Sequence, residues 1–369
     1  MSMLSRRDSL KHAAMLSAAP LLPMFQEPPV ETKKKAVKKA AQPKKDPYAD
    51  GKLVDGPPAK AKPGSFTVVV LPDTQHYSEN YPATYLAQTR WIVEQQQERR
   101  ITAVLHLGDI TNRSTPTEWQ NAVKAMNQLD GKVPYFFVNG NHDYSQGGSC
   151  KDRTTLLNEY FPVGKFQSRP NFGGVYDREP DRMENSYHRF SAGGRDFLVL
   201  ALEFGPRKDV VRWANEVVAK HPKHEAILIT HAFIYFDDTR YNWKKYGAKQ
   251  NWNPHAYGVA KTTNDDVTDG EELWDNLISK HENFILTLNG HVLGDGLGRF
   301  HSTTPAGRDV QQVLVNFQMR PKGGDGWLRL LEFQSDGKTI EVCDYSPTRG
   351  QRNESPQNKF VLTTAAPKV

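Results

Sequence analysis

The stretch Phe66–His76, FTVVVLPDTQH, decides how the rest of the chain is read. Its first six residues are apolar or β-branched without interruption, the pattern of a strand buried on both faces. It then breaks at Pro72 and delivers Asp73 directly afterwards. The same grammar recurs twice. Ile101–Leu107 is a second buried run, ending in Gly108-Asp109, and Val133–Val138 is a third, ending in Asn139-Gly140-Asn141-His142-Asp143. Between them lie two helical stretches. Pro82–Arg100 carries Leu86, Ile92 and Val93 near helical spacing, and Pro116 opens a helix running to about Leu129. This β-α-β-α-β alternation predicts parallel strands with polar groups gathered at their carboxyl edge, where ligands bind in open α/β sheets.

The second half repeats the theme with different ligands. Tyr187–Phe190 and Phe197–Leu202 read as a hairpin turning at Gly193-Gly194. A helix near Arg207–Ala219 leads to the strand Ala226–Thr230, which delivers His231. A helix over about Glu271–Lys280 leads to the strand Phe284–Leu288 and then to Gly290-His291. Three strands close the pattern, near Val310–Phe317, Gly326–Phe333 and Thr339–Tyr345, with a tight turn at Asp336-Gly337. The architecture expected is two β-sheets packed together with helices outside.

Composition narrows the function classes. The chain has 369 residues, 24% charged and 37% apolar, ordinary for a soluble protein. Its net charge of +6 resides near the N-terminus: residues 28–62 hold ten lysines against four acidic residues, and residues 63–369 sum to −1. The folded part therefore gives no bulk electrostatic reason to expect a nucleic-acid partner. The two cysteines, Cys150 and Cys343, have no zinc-site spacing, and sequence leaves their pairing open. No run is apolar enough to span a membrane.

Arg6-Arg7, followed by the weakly apolar Ala13–Phe25, resembles a bacterial twin-arginine export signal. The expected organisation is a signal over 1–26, a disordered Pro/Lys/Ala-rich linker over 27–64, and a catalytic domain over 65–365. The signal implies the twin-arginine export machinery as a partner and a periplasmic or extracellular location.

Hydrolysing a phosphoester means overcoming the repulsion between its negative charge and the nucleophile. Two cations roughly 3.5–4 Å apart do this by polarising phosphoryl oxygens and generating hydroxide from water. Asp109 is the natural bridge between them, with Asp73 a terminal ligand to one metal and Asn141, His231 and His291 completing the other.

Taken in order, Asp73-Thr-Gln75, Gly108-Asp109, Gly140-Asn141-His142-Asp143, His231 and Gly290-His291 resemble the motifs of the calcineurin-like metallophosphoesterase family. The resemblance covers about residues 66–345. It implies an α/β fold, a four-layer α/β/β/α sandwich of two mixed sheets flanked by helices, around a dinuclear centre of Fe, Mn or Zn. It assigns Asp73 and Asp109 to the first metal, and Asp109, Asn141, His231 and His291 to the second. His142 resembles the family histidine that stabilises or protonates the leaving group, held here by Asp143.

Two positions depart from the family. Gln75 stands where it usually has histidine, with His76 one place later, and Leu293 stands at the last position of its Gly-His-x-His. A first site with Gln75 as an oxygen ligand suits Mg, Ca or Mn better than Zn. One firm and one weak metal site are expected, with His76 or Asp295 as further candidates for the weak one. The substrate expected is a phosphorylated small molecule or polymer. The departures also motivate an alternative, a member that binds metal or a phosphorylated ligand without turnover. Arg153, Arg169, Arg178 and Arg182 are candidate phosphate clamps, and the aromatic-rich Phe233–Tyr257 is a candidate pocket wall.

Overall fold

The structure, a computed structural model, describes residues 46–365. The expected export signal and the first part of the expected linker lie outside them. Fifteen strands form in chain order: β1 Leu53–Asp55, β2 Phe66–Leu71, β3 Ile101–His106, β4 Tyr135–Phe137, β5 Phe172–Val175, β6 Ser186–Ala192, β7 Arg195–Leu202, β8 Glu225–Thr230, β9 Phe284–Asn289, β10 Leu297–Thr303, β11 Asp309–Val315, β12 Leu328–Phe333, β13 Thr339–Ser346, β14 Gln351–Asn353 and β15 Lys359–Thr363. They build two mixed sheets. The first runs β1-β14-β13-β12-β2-β3-β4, with β15 also on β13; the second runs β10-β11-β9-β8-β7-β6-β5.

Strands of continuous apolar character occupy the sheet centres, where both faces are covered. In β2, Val68 and Val70 point into the layer between the sheets, against Val199 and Ala201 of β7 and Ile227 and Ile229 of β8. Val69 and Leu71 point outward onto Tyr85, Ile92 and Trp119 of helices Pro82–Gln95 and Pro116–Met126. On the other side, Leu198, Leu200 and Leu228 pack against Val210, Trp213 and Val217 of helix Lys208–Ala219. This is the four-layer α/β/β/α sandwich expected. β2, β3 and β4 run parallel, as do β7, β8, β9 and β11. The carboxyl ends of β2, β3, β8 and β9 therefore lead into the Asp73, Asp109, His231 and His291 turns.

Helix Pro116–Met126 starts where its sequence says. Thr115 caps it, Glu118 completes the capping box and Pro116 sits in the first turn.

The linker expectation needs correction over residues 46–64. β1 adds antiparallel to β14 at the sheet edge. Tyr48 is buried, donating its hydroxyl to Asp325 (2.7 Å) and accepting from the Trp327 indole (2.9 Å). One tyrosine and a three-residue edge strand dock this segment, because the strand borrows its hydrogen bonds from the domain. Cys150 and Cys343 are both free, so no disulfide forms. Among the described residues no helix is long and apolar enough to cross a membrane.

Candidate metal centre

Asp73, Asp109 and His231 form a buried group whose ligand atoms all lie within 4.8 Å of one another. Three glycines make room for it. A Cβ on Gly108 would stand 2.6 Å from His231 Nδ1; one on Gly140 would stand 2.8 Å from Asp109 Cγ; one on Gly290 would stand 3.0 Å from Asp73 Cγ. These three motifs carry glycine because a neighbouring ligand fills the space a side chain would need. Asp73, Asp109 and His291 adopt φ of 35°, 47° and 74°, a left-handed backbone that L residues hold only where the surroundings enforce it.

The hydrogen bonds fix which atoms remain free. His231 donates from Nδ1 to the Leu107 carbonyl (2.7 Å), leaving Nε2 facing Asp109 Oδ1 at 3.2 Å and Asp73 Oδ1 at 4.0 Å. His291 donates from Nε2 to the Trp252 carbonyl (2.8 Å), leaving Nδ1 free, and its backbone N–H reaches Asp73 Oδ1 (2.9 Å). The two rings meet edge-on, centroids 4.8 Å apart. Asp109 accepts from the His142 backbone N–H on Oδ1 (3.0 Å) and from the Gln75 amide on Oδ2 (3.0 Å).

Four buried polar atoms of the motif residues have no hydrogen-bond partner: Asp73 Oδ2, Gln75 Oε1, Asn141 Oδ1 and His231 Nε2. Orphaned acceptors are costly unless a ligand takes them, and a carboxylate oxygen, two amide oxygens and an imidazole nitrogen are the donor set of a divalent cation. The residues present fit a metal.

The charges of the site are strongly coupled. Burial pushes the Asp73 carboxyl well above its ordinary range, the charge of Asp109 adds to this, and His231 opposes it. Burial would lower His231, yet the Asp109 and Asp73 carboxylates raise it to about 9. Burial and the charge of His231 push His291 down to about 3. Burial would raise Asp109, but the imidazoles of His231 and His142 hold it below the usual carboxylate range.

Asp143 does not hold His142. The imidazole Nδ1–H donates instead to the Asn112 carbonyl (2.8 Å), leaving Nε2 free. Asp143 accepts from the backbone of Ile110 (3.0 Å), Thr111 (2.8 Å) and Gly140 (2.8 Å), and from the Thr111 hydroxyl (2.8 Å). Its work is to tie the loop after Asp109 to the loop before Asn141. Both residues lie in the 3₁₀ turn Asn141–Asp143. Successive side chains there point about 120° apart, so neighbours in sequence cannot pair.

Other candidates fall away. His76 is partly exposed beside Glu79 (3.7 Å), and Asp295 accepts from the Leu297 backbone (3.1 Å). Arg153 is bound to Glu203 (3.2 Å) and to the carbonyls of Phe204 and Gly205; Arg169 pairs with Asp130, Arg178 with Asp209 and Arg182 with Glu184. None of the four serves as a ready phosphate clamp.

Sequence reading missed four supports. His106 accepts from Gly108 N–H on Nδ1 (3.2 Å), so its Nε2–H donates to the Thr74 hydroxyl (2.9 Å), joining the first two motifs. Its position two residues before Gly108 was the available signal. Asn112 and Trp252 act through backbone carbonyls, which carry no residue-type signal. Phe204 packs against both His231 and His291, at 5.8 and 5.2 Å. Of the aromatic segment, Phe233, Tyr235 and Tyr241 are buried in the core, and Phe236 is exposed.

Residues 66–295 match the family model of the calcineurin-like phosphoesterases. The uncharacterized protein YvnB of Bacillus subtilis (strain 168) is 29% identical over 310 residues, covering 80% of this chain and 21% of that protein. The chain thus spans about a fifth of that relative's length. Among solved structures, purple acid phosphatase PPD1 from yellow lupin aligns at 14% identity, TM-score 0.46, over 84% of this chain and 55% of its own. The NAD nucleotidase NadN of Haemophilus influenzae aligns at 13% identity, TM-score 0.40, over 82% and 51%.

Proposed function

The chain belongs to the calcineurin-like phosphoesterase family, and from that premise we propose that it is a metal-dependent hydrolase of phosphomonoesters or phosphodiesters. The observation that carries this is the set of orphaned, buried ligand atoms on Asp73, Gln75, Asn141 and His231. Asp109 would bridge two cations; Asp73 and Gln75 would complete the first site, and Asn141, His231 and His291 the second. Divalent cations held there would supply Lewis-acid polarisation of the phosphoryl oxygens and a water acidic enough to serve as nucleophile.

The chain's own residues do the rest. Leu107 and Trp252 fix the tautomers of His231 and His291 through their carbonyls, so that one ring nitrogen of each remains a ligand. Asn112 fixes His142 through Nδ1 and leaves Nε2 free to stabilise or protonate the leaving oxygen. Gln75 presents its amide N–H to Asp109, which supports a first site weaker than the second. A binder without turnover is the second reading, favoured by that same contact and by Leu293. Arg6-Arg7 supports export by the twin-arginine route, with a phosphorylated small molecule or polymer outside the cytoplasm as substrate.

The test is turnover of aryl phosphate mono- and diesters by Mn²⁺-loaded protein. Activity lost in Asp109→Ala and His142→Ala is the expected result. Metal binding without turnover of any ester selects the binder, and no metal binding at all removes the proposal.

A further inference from the structure

His255, Asp269 and Glu272 form a second group of titratable side chains. His255 lies between two carboxylates, with Nδ1 2.6 Å from Asp265 Oδ1 and Nε2 2.9 Å from Glu272 Oε2. Carboxylates only accept, and a neutral imidazole has one N–H, so both bonds together require the imidazolium. Asp269 adjoins, but unlike the metal-centre group this one has no orphaned ligand atom. Asp269 Oδ1 accepts from Glu272 N–H (3.1 Å), and its Oδ2 accepts from Trp243 N–H (2.6 Å) and the Asn253 amide (3.1 Å). Glu272 Oε2 also accepts from Asp269 N–H (3.0 Å).

What the imidazolium holds is the turn Pro254–Ala256 and its flanks. On one flank Trp252 adopts φ of 65°, costly for a bulky residue, and aims its carbonyl at His291 Nε2. On the other flank the Tyr257 ring packs 5.0 Å from Phe204 and 6.0 Å from His291. Asn253 bonds Asp269, and the Trp243 ring stacks on His255 at 6.0 Å. The strained carbonyl that sets the His291 tautomer therefore hangs on a segment anchored three residues away.

We infer that His255 is a positioning residue: as an imidazolium bridging Asp265 and Glu272, it rivets the loop whose Trp252 carbonyl orients His291 for its metal. This rests on the reading of His291 as a ligand. The charged groups facing the rivet are Asp265, Asp266 and Asp269 on the preceding loop and Glu272 on helix Gly270–Asn276. Lys208 faces it from helix Lys208–Ala219, its N–H on Asp266 (2.9 Å) and its ammonium on the Asp265 carbonyl (3.3 Å). Glu271 turns away to Arg240. Burial lowers the His255 pKa, but Glu272 and Asp265 outweigh it and raise the ring to about 9.

The test uses the full chain with Mn²⁺ as probe, in calorimetry and in ¹⁵N NMR of the histidine rings. His255→Gln should weaken Mn²⁺ binding about tenfold, the low end for groups that orient a metal ligand. His255→Lys, which keeps a cation able to reach both carboxylates, should restore it to within about twofold. The His255 ring should carry both protons at neutral pH and titrate near 9; Asp265→Asn, on an exposed loop, should lower that midpoint and needs no change at the buried ring. A His255 midpoint at or below about 6.5, or equal Mn²⁺ affinity in wild type and His255→Gln, overturns the inference. So does equal weakening by Gln and Lys, which would indicate packing alone. Absence of Mn²⁺ binding in wild type instead sinks the metal-centre reading, while the midpoint still decides the bridge.

Discussion

Alanine at Gly140 should disable the metal centre without unfolding the domain. Gly140 has φ −94° and ψ −175°, a conformation alanine adopts freely, so its own dihedrals add no strain. The added Cβ would stand 2.8 Å from Asp109 Cγ, and closer still to Asp109 Oδ1 and its backbone nitrogen. Carbon atoms prefer separations of about 3.5–4.0 Å, so the Asp109 carboxylate and the backbone at its nitrogen must both retreat by about 1 Å. Overpacking of this kind costs about 1–3 kcal/mol, which a domain of this size tolerates. A 1 Å misplacement of a reacting group costs about 100-fold in rate, and Mn²⁺ affinity should fall as the bridge moves. The assay pairs calorimetric Mn²⁺ titration with turnover of an aryl phosphate ester, with a thermal melt confirming the fold. Gly164→Ala, whose Cβ meets nothing within 4 Å, is the control and should behave as wild type. Wild-type affinity and turnover in Gly140→Ala would refute the reasoning that these glycines exist to admit the ligands.

Asp143→Ala should lower stability by about 3 kcal/mol in denaturant titration, because three buried N–H groups lose their acceptor. His142→Ala should cut turnover about 100-fold or more while leaving Mn²⁺ affinity unchanged, which calorimetry separates. The folded His255 pKa lies above its ordinary value, so its stabilisation is fully present below about pH 6.5 and is lost as pH rises through about 9. Wild-type melting temperature should fall over that window, and His255→Gln should remove that part of the slope. Chelation should lower the melting temperature reversibly, with Mn²⁺ at about 100 times its Kd restoring about 2.7 kcal/mol.

The central strands were legible because each is an apolar run buried on both faces and each ends in a ligand. β2, β3, β8 and β9 follow from that signal alone. Four other strands were not. β1, β5 and β14 are three or four residues long and take their hydrogen bonds from neighbours, and β10, LGRFHST, alternates too weakly to stand out. At the site, residue types and order identified the cluster because glycine, aspartate and histidine each answer a local steric or chemical need. Adjacency misled for His142 and Asp143, which share a 3₁₀ turn and diverge. Trp252 and Asn112 were invisible because a carbonyl is common to every residue, and only the folded chain says where it points.

The most direct measurement of the central claim is an anomalous-diffraction map of crystals soaked in Mn²⁺. Manganese peaks on either side of the Asp109 carboxylate, the stronger beside Asn141, His231 and His291 and the weaker beside Asp73 and Gln75, are the predicted result. A map with no peak at Asp109, or with manganese only elsewhere on the chain, would contradict it.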